Sequence, residues 1–335
     1  MKSIVSFVPL ILGLAPYVSA DFESANVELI KELSSTQKHH RSTANQCNPI
    51  DVTKLEKQGL LHSQDYQDKC LLTQYFPGIC HGSYIEVGAL DGDRYSNTFA
   101  FYNSPKLNWR GINIEVDPLS YEKLSVNRKN DIANVHAATC SNPGIVHFFG
   151  RNRPKGGIWE FSTPEQRKRW WGPYVTLQDT TPVQCTHLQV ILDQTVGSGS
   201  NHYFDMMSVD IEGAELSALQ SIDFNRVGFG VIIVGKQGRD EVGIGIDSDI
   251  EKLLLSVGYE KVVDKKKTCG SVRNNWFVNK DFDRIYAEYK NGSGSTSDGK
   301  EDLAAVKKRR LGLRGGHDSD YMFAESRAKF SSPNA

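Results

Sequence analysis

The stretch Ser83-Tyr-Ile-Glu-Val-Gly-Ala-Leu-Asp-Gly92 constrains the fold most, because an apolar run breaks there into an acidic, glycine-spaced turn. Tyr84, Ile85 and Val87 favour extended backbone, and a run this short and apolar suits a strand buried on both faces. Gly88 and Gly92 can take backbone angles closed to other residues, so the chain can turn sharply and a ligand can approach the main chain. The spacing is G-x-x-x-G rather than G-x-G-x-x-G, and no Lys-Ser/Thr pair follows, which separates this turn from the dinucleotide and P-loop fingerprints. Carboxylates at Glu86 and Asp91 would repel a pyrophosphate and favour a cationic or hydroxyl-bearing small molecule. Taken alone, the turn is equally well read as a structural β-turn.

Two later stretches repeat the pattern. Trp109-Arg-Gly-Ile-Asn-Ile-Glu-Val-Asp-Pro118 reads as a buried strand ending in Glu115, followed by a helix opened by Pro118. Glu115 lies 23 residues after Gly92. In a doubly wound sheet an acid about 20 residues past the glycine turn hydrogen-bonds ribose hydroxyls; the alternative is a solvated charge at a strand end. Phe204-Asp-Met-Met-Ser-Val-Asp-Ile-Glu-Gly-Ala-Glu215 is a third apolar run into carboxylates. Asp210 and Glu212 share a side if the chain stays extended there. Three strands that deliver acids to their carboxyl ends put those acids where open α/β sheets bind ligands.

These motifs, with Ser96-Asn-Thr98 and the lead-in Ser63-Gln-Asp-Tyr-Gln-Asp-Lys69, resemble those of the FkbM-type methyltransferases, Rossmann-like enzymes that use S-adenosylmethionine. The resemblance spans residues 60 to 280 and is most specific at Met207-Ser-Val-Asp-Ile-Glu-Gly-Ala-Glu-Leu216. It implies an α/β, Rossmann-like class I methyltransferase fold, with a mostly parallel central sheet and flanking helices. It implies S-adenosylmethionine as cofactor, held by Glu86, Gly88, Asp91, Gly92, Asn97 and Glu115. Glu86, Asp91 and Asn97 then surround the methionine moiety and Glu115 binds the ribose. Asp210 is the expected general base and Glu212 its orienting partner, unless the two hold the cofactor's ammonium or a divalent ion; no metal ligand is assigned. One departure stands out at Val231-Ile-Ile-Val-Gly-Lys-Gln237, where the family's usual glutamate is replaced by Gly235 and Lys236.

The 335-residue chain is 39% hydrophobic and 24% charged, ordinary for a globular protein. A formal net charge of −1 supplies no basic field, so no nucleic-acid partner is expected. Lys2, the uncharged run Ile4 to Val18 and the small residues to Ala20 match a signal peptide over residues 1–20. Its shortness, Pro9 and Pro16 favour cleavage, with an uncleaved membrane anchor as the alternative. That leader implies the secretory pathway, secreted or in the Golgi or ER lumen. Residues 21–60 read as a polar stem, 61–285 as the methyltransferase-like domain and 291–335 as a disordered tail. Cys47, Cys70, Cys80, Cys140, Cys185 and Cys269 are an even set in a secretory chain and favour disulfides over free thiols. Cys70 and Cys80, flanking Pro77-Gly78, are the expected local pair.

Strands are predicted near 83–88, 111–115, 133–138, 145–149, 204–209, 229–234, 259–263 and 274–278. Helices are predicted around Leu216–Ile222 and Ile250–Val257 from apolar residues at helical spacing. Residues 150–182 interrupt the rhythm with Gly156, Gly157, Trp159, Phe161, Arg167, Lys168, Arg169, Trp170, Trp171 and Tyr174. Aromatic faces beside basic groups suit a sugar or polyol acceptor, or else form a cap packed on the core. The expected function is O-methylation of a glycan or polyol hydroxyl in the secretory pathway. An inactive binding relative is the alternative raised by Gly235. A Rossmann oxidoreductase is disfavoured by the missing fingerprint.

Overall fold

The computed structural model describes residues 47, 50–150, 154–198, 202–237, 241–263 and 273–286. The leader, most of the stem, Cys269 and the tail lie outside these residues. A seven-stranded sheet runs through the centre. Its strands, with labels in chain order, are β1 (Ser83–Val87), β2 (Arg110–Glu115), β3 (Ala133–His136), β8 (His202–Val209), β9 (Val227–Gly235), β10 (Tyr259–Lys261) and β11 (Asn274–Asn279). The spatial order is β10-β11-β9-β8-β1-β2-β3. Five strands are parallel; β11 runs antiparallel to β9, and β10 antiparallel to β11.

Alternation along the central strands divides the core into two layers. Ile85, Val87, Met207, Val209, Ile232 and Val234 face one cluster with the helices Leu188–Val196 and Glu241–Ser256. Tyr84, Met206, Val231 and Ile233 face the other with Phe76, Phe101, Trp109 and Trp276. Both faces are covered, which explains why these strands read as continuous apolar runs. Leu55, on the helix Val52–Lys57, packs in that second cluster, so residues from Val52 pack with the domain expected from residue 61.

A second sheet has four strands, β4 (Ala138–Thr139), β7 (Thr181–Thr186), β5 (Gly144–Phe149) and β6 (Gly157–Ile158), in that order, and the interrupting segment supplies β6 and the start of β7. The single strand expected at 133–138 is thus two, with a break at Ala137 that sends β4 to the other sheet. The strand expected at 145–149 belongs to this second, mainly antiparallel sheet as well.

Cys47 bonds Cys80, and Cys140 bonds Cys185, with Cα atoms 5.8 and 5.9 Å apart. The expected Cys70–Cys80 pair is therefore corrected: Cys80 is taken by Cys47. Proximity in sequence misled, because the 70–80 segment leaves the helix Gln67–Cys70 through a π-helical turn, Leu71–Tyr75, while residue 47 returns beside Gly78. Cys70 is itself disulfide-bonded.

Candidate active site

The carboxyl ends of β1, β2, β8 and β9 open into a cavity of about 910 Å³ that the second sheet roofs with Thr139, Phe148, Gly157 and Ile158. Its size falls within the range of small-molecule sites. Among the expected site residues, Glu86, Gly88, Asn97, Glu115, Asp210 and Glu212 line it together. Asp91 and Gly92 do not.

Gly88 ends β1 with φ +85°, and a Cβ there would lie 2.1 Å from the Asp210 carbonyl oxygen. Only glycine lets β1 and the β8 turn close so tightly. Glu86 is 3% exposed and its carboxylate accepts from Ser96 Oγ (2.8 Å), the Asn97 N–H (2.8 Å) and Thr98 Oγ1 (2.6 Å). It therefore holds the 96–98 loop in place. Asn97 Nδ2 donates to Ser208 Oγ at 2.8 Å, leaving Oδ1 buried without a partner. Such an orphaned acceptor costs on the order of 1–3 kcal/mol unless a donor fills it.

Asp91 turns away from the cavity: it accepts from the Asp93 and Arg94 N–H groups and pairs with Arg94 Nε at 2.5 Å. Gly92 packs on Leu124 and Arg128. Sequence reasoning missed Arg128 altogether, although it holds the loop from beneath. Fully buried, it donates from Nε to the Gly92 carbonyl (2.6 Å), from Nη1 to Tyr84 Oη (2.9 Å) and from Nη2 to Ser96 Oγ (2.7 Å). Burial raises the Asp131 carboxyl and the Arg128 charge, 3.6 Å away, opposes that rise. Nothing in the local pattern of a charged helix end distinguishes this arginine from a solvated one.

Glu115 stands at the end of β2 and accepts from the Leu90 N–H (2.7 Å) and the Asp117 N–H (2.8 Å). Leu90 adopts φ +51° in the turn that makes the first of these bonds. Burial pushes the Glu115 carboxyl up to about 7, against the pull of those N–H groups.

β8 stops at Val209, so the extended backbone expected to align Asp210 with Glu212 is absent. A turn presents them instead, with Glu212 at φ +56°. Glu215, which sequence reasoning gave no role, shapes this turn by accepting the Ile211 N–H (2.8 Å) and the Gly213 N–H (2.9 Å). Burial and the nearby Asp210 raise its carboxyl to about 7. The protein packed around Asp210 raises its carboxyl too; Arg273 opposes the rise and Glu86 adds to it. Because the side chain is open to the cavity, water there tempers that rise. Glu212 is raised by burial, then by Asp210 and Glu215, with Lys155 opposing. Gly235 and Lys236 line the same corner. A Cβ on Gly235 would fall 2.6 Å from Asp210 Oδ1, so the missing side chain leaves room for the Asp210 carboxylate. Among the described residues, no group of three or more His, Cys, Asp or Glu could hold a metal ion.

Of the aromatics in the interrupting segment, Trp170 lines the cavity. Trp171 packs instead with Phe149 and Trp159, at centroid distances of 4.9 and 6.1 Å, and Tyr174 is 91% exposed.

A central sheet of this order, with one antiparallel strand inserted beside β9 and acids at the ends of its first, second and fourth strands, defines a class I methyltransferase fold. The description "Methyltransferase FkbM domain" matches residues 86–261, and the chain belongs to that family. No functionally curated protein matches the sequence. Similar solved structures include a TehB-like SAM-dependent methyltransferase from Corynebacterium glutamicum. It has 11% identity and a TM-score of 0.32, with 68% of this chain and 96% of that one covered. Another is an O-methyltransferase from Bacillus cereus solved with SAH, at 12% identity and a TM-score of 0.29, covering 76% and 89% of the two chains.

Proposed function

We propose that this protein is an S-adenosylmethionine-dependent O-methyltransferase that methylates a hydroxyl of a glycan or polyol in the secretory pathway. The observation that carries the reading is the shared cavity. It joins an unsatisfied buried acceptor at Asn97, a carboxylate at the end of β2, and an Asp210 carboxylate with a raised proton affinity. When bound, the cofactor supplies a methyl group already activated on a sulfonium. Asn97 Oδ1 would accept from its ammonium, and Glu115 would accept from its ribose hydroxyls. Gly88 allows close main-chain approach. Glu86 and Arg128 act through the loop they hold, as positioning residues.

Asp210 takes the proton of the acceptor hydroxyl at a carboxylate oxygen. A base whose pKa moves toward the working pH is the better match for that task, while it stays ionised. Positioning supplies the rest of the rate, because a sulfonium methyl needs mainly alignment. The disulfides and the leader sequence support an oxidising, lumenal setting.

The test is methyl transfer from labelled cofactor to a panel of polysaccharides and polyols. Asp210→Asn should keep S-adenosylhomocysteine affinity and lose on the order of 10²–10⁴-fold in turnover. Loss of cofactor affinity with recovery of rate at saturating cofactor would reassign Asp210 to binding. Cofactor binding with no transfer to any acceptor would favour the inactive binding relative.

A further inference from the structure

The cavity is not uniform in charge. Its strand-end side carries the acids already described, with Lys236 and Arg273 beside them at the ends of β9 and β11, whereas the segment that covers it carries Lys155 and Arg169. Several cations near the site are committed elsewhere. Arg94 pairs with Asp91, Arg273 with Asp65 at 3.0 Å, and Arg167 lies 3.9 Å over the Trp159 ring while donating to its carbonyl. Lys155 and Arg169 differ: among the described residues neither has a carboxylate within salt-bridge distance, and both line the cavity.

Their placement is built rather than incidental. Arg169 precedes Trp170 on the helix Pro164–Trp170, whose start is fixed by a capping box between Thr163 and Gln166. Lys155 Nζ lies 5.4 Å from the Trp170 ring centroid. Gly156 and Gly157 follow Lys155, and a Cβ on Gly157 would sit 3.3 Å from the Glu212 carbonyl oxygen, so this wall is seated directly on the acidic turn. Two cations and an indole therefore border the space in front of Asp210. An aromatic face takes the C–H face of a sugar ring, and an ammonium beside a guanidinium takes an anion.

We propose that the acceptor is an acidic saccharide, with its carboxylate, sulfate or phosphate held by Lys155 and Arg169 and its ring against Trp170. This rests on reading the cavity as an acceptor site. The sign also separates the ends of the site: a cationic cofactor seeks the acidic floor and an anionic acceptor the basic wall, so neither competes for the other's place.

Titration of the full chain with S-adenosylhomocysteine comes first and reports on the cofactor reading alone. The saturated protein is then titrated with trigalacturonate and its neutral methyl ester, with glucose 6-phosphate against glucose, and with a sulfated disaccharide against its unsulfated form. At least one anionic probe should bind about tenfold or more tightly than its neutral partner, and added salt should erase the difference. Lys155→Ala/Arg169→Ala should remove the preference while leaving S-adenosylhomocysteine affinity within about twofold, which also shows that the variant is folded. Equal binding of charged and neutral probes, no binding of any anionic probe, or a preference that survives in the double variant would each overturn the proposal. Acidic sugars binding to a protein that ignores S-adenosylhomocysteine would sink the methyltransferase reading and leave this subsite standing.

Discussion

Glu115 is the residue whose protonation should couple most directly to cofactor binding. Its folded carboxyl is raised from an ordinary 4.5 to about 7 by burial. The unfolded chain therefore gives up this proton first as pH rises, and the ligand-free fold loses stability between about 4.5 and 7 on this account. Under the proposed role of Glu115, ribose hydroxyls would donate to the ionised form, so cofactor affinity should move the other way. S-adenosylhomocysteine affinity should climb between about pH 6 and 8 and then level off; Glu115→Gln should bind more weakly and show no such climb. An identical pH profile in wild type and variant, read by calorimetry, would remove Glu115 from the ribose site. At this scale the sequence was partly legible. Glu86, Gly88, Asn97, Glu115, Asp210 and Glu212 meet in one cavity because strand ends of a parallel sheet converge there. Asp91 and Gly92 do not meet it, since a turn can point a carboxylate three residues past Gly88 either way, and here Arg94 captures it. Gly235 changes meaning too: it marks space filled by Asp210, and Gly235→Glu would crowd that carboxylate with a like charge.

Among the elements, the loop after β1 depends on a helix that contributes nothing to the cavity wall. Arg128 follows the helix Pro118–Asn127 and joins the loop, Tyr84 of β1 and Asp131 before β3 in one buried network, in which Asn113 of β2 also donates to Asp131 at 2.8 Å. Arg128→Met keeps much of the bulk and strands the Asp131 carboxylate. The expected cost is about 3–5 kcal/mol in urea unfolding, the usual penalty for leaving a buried charge without its partner. Arg128→Met/Asp131→Asn should recover a large share, giving a coupling that distant sites do not show. A cost under about 1 kcal/mol for the single variant would mean that Asp131 is adequately served by Tyr84, Asn113 and the Gly111 N–H. The central strands were readable because both faces are buried and their apolar runs are continuous. β6 and β7 were not: Gly157–Ile158 is two residues long, and Thr181–Thr186 carries Pro182 and only one buried side chain, Cys185. Strands this short or this little buried leave no periodicity to read.

Across the whole molecule, the Cys140–Cys185 bond decides how firmly the roof is attached. It joins the residue after β4 to β7 across a separation of 45 residues, and between them lie β5, β6, Lys155, Arg169 and Trp170. Cys140 and Cys185 are 1% and 0% exposed, within a small apolar cluster with Val146, Phe148 and Ile158. So small a cluster is poorly able to hold a wall against its chain entropy, and the cross-link limits the freedom the unfolded segment regains. The chain-entropy estimate for such a loop is about 4 kcal/mol, of which native contacts commonly deliver less. Cys140→Ala/Cys185→Ala should therefore lower the melting temperature by several degrees. The loss should be local as well. Limited trypsin digestion should cut faster at Arg167, Lys168 and Arg169 in the variant, while S-adenosylhomocysteine, bound against the central sheet, still protects the rest of the domain. Substituting alanine, rather than adding reductant, leaves the Cys47–Cys80 bond and the disulfide of Cys70 intact and isolates the effect. Unchanged cleavage at those three sites would mean that the roof is held by its strand pairing and by the seat of Gly157 on the Glu212 turn, and that the disulfide steadies the unfolded chain alone.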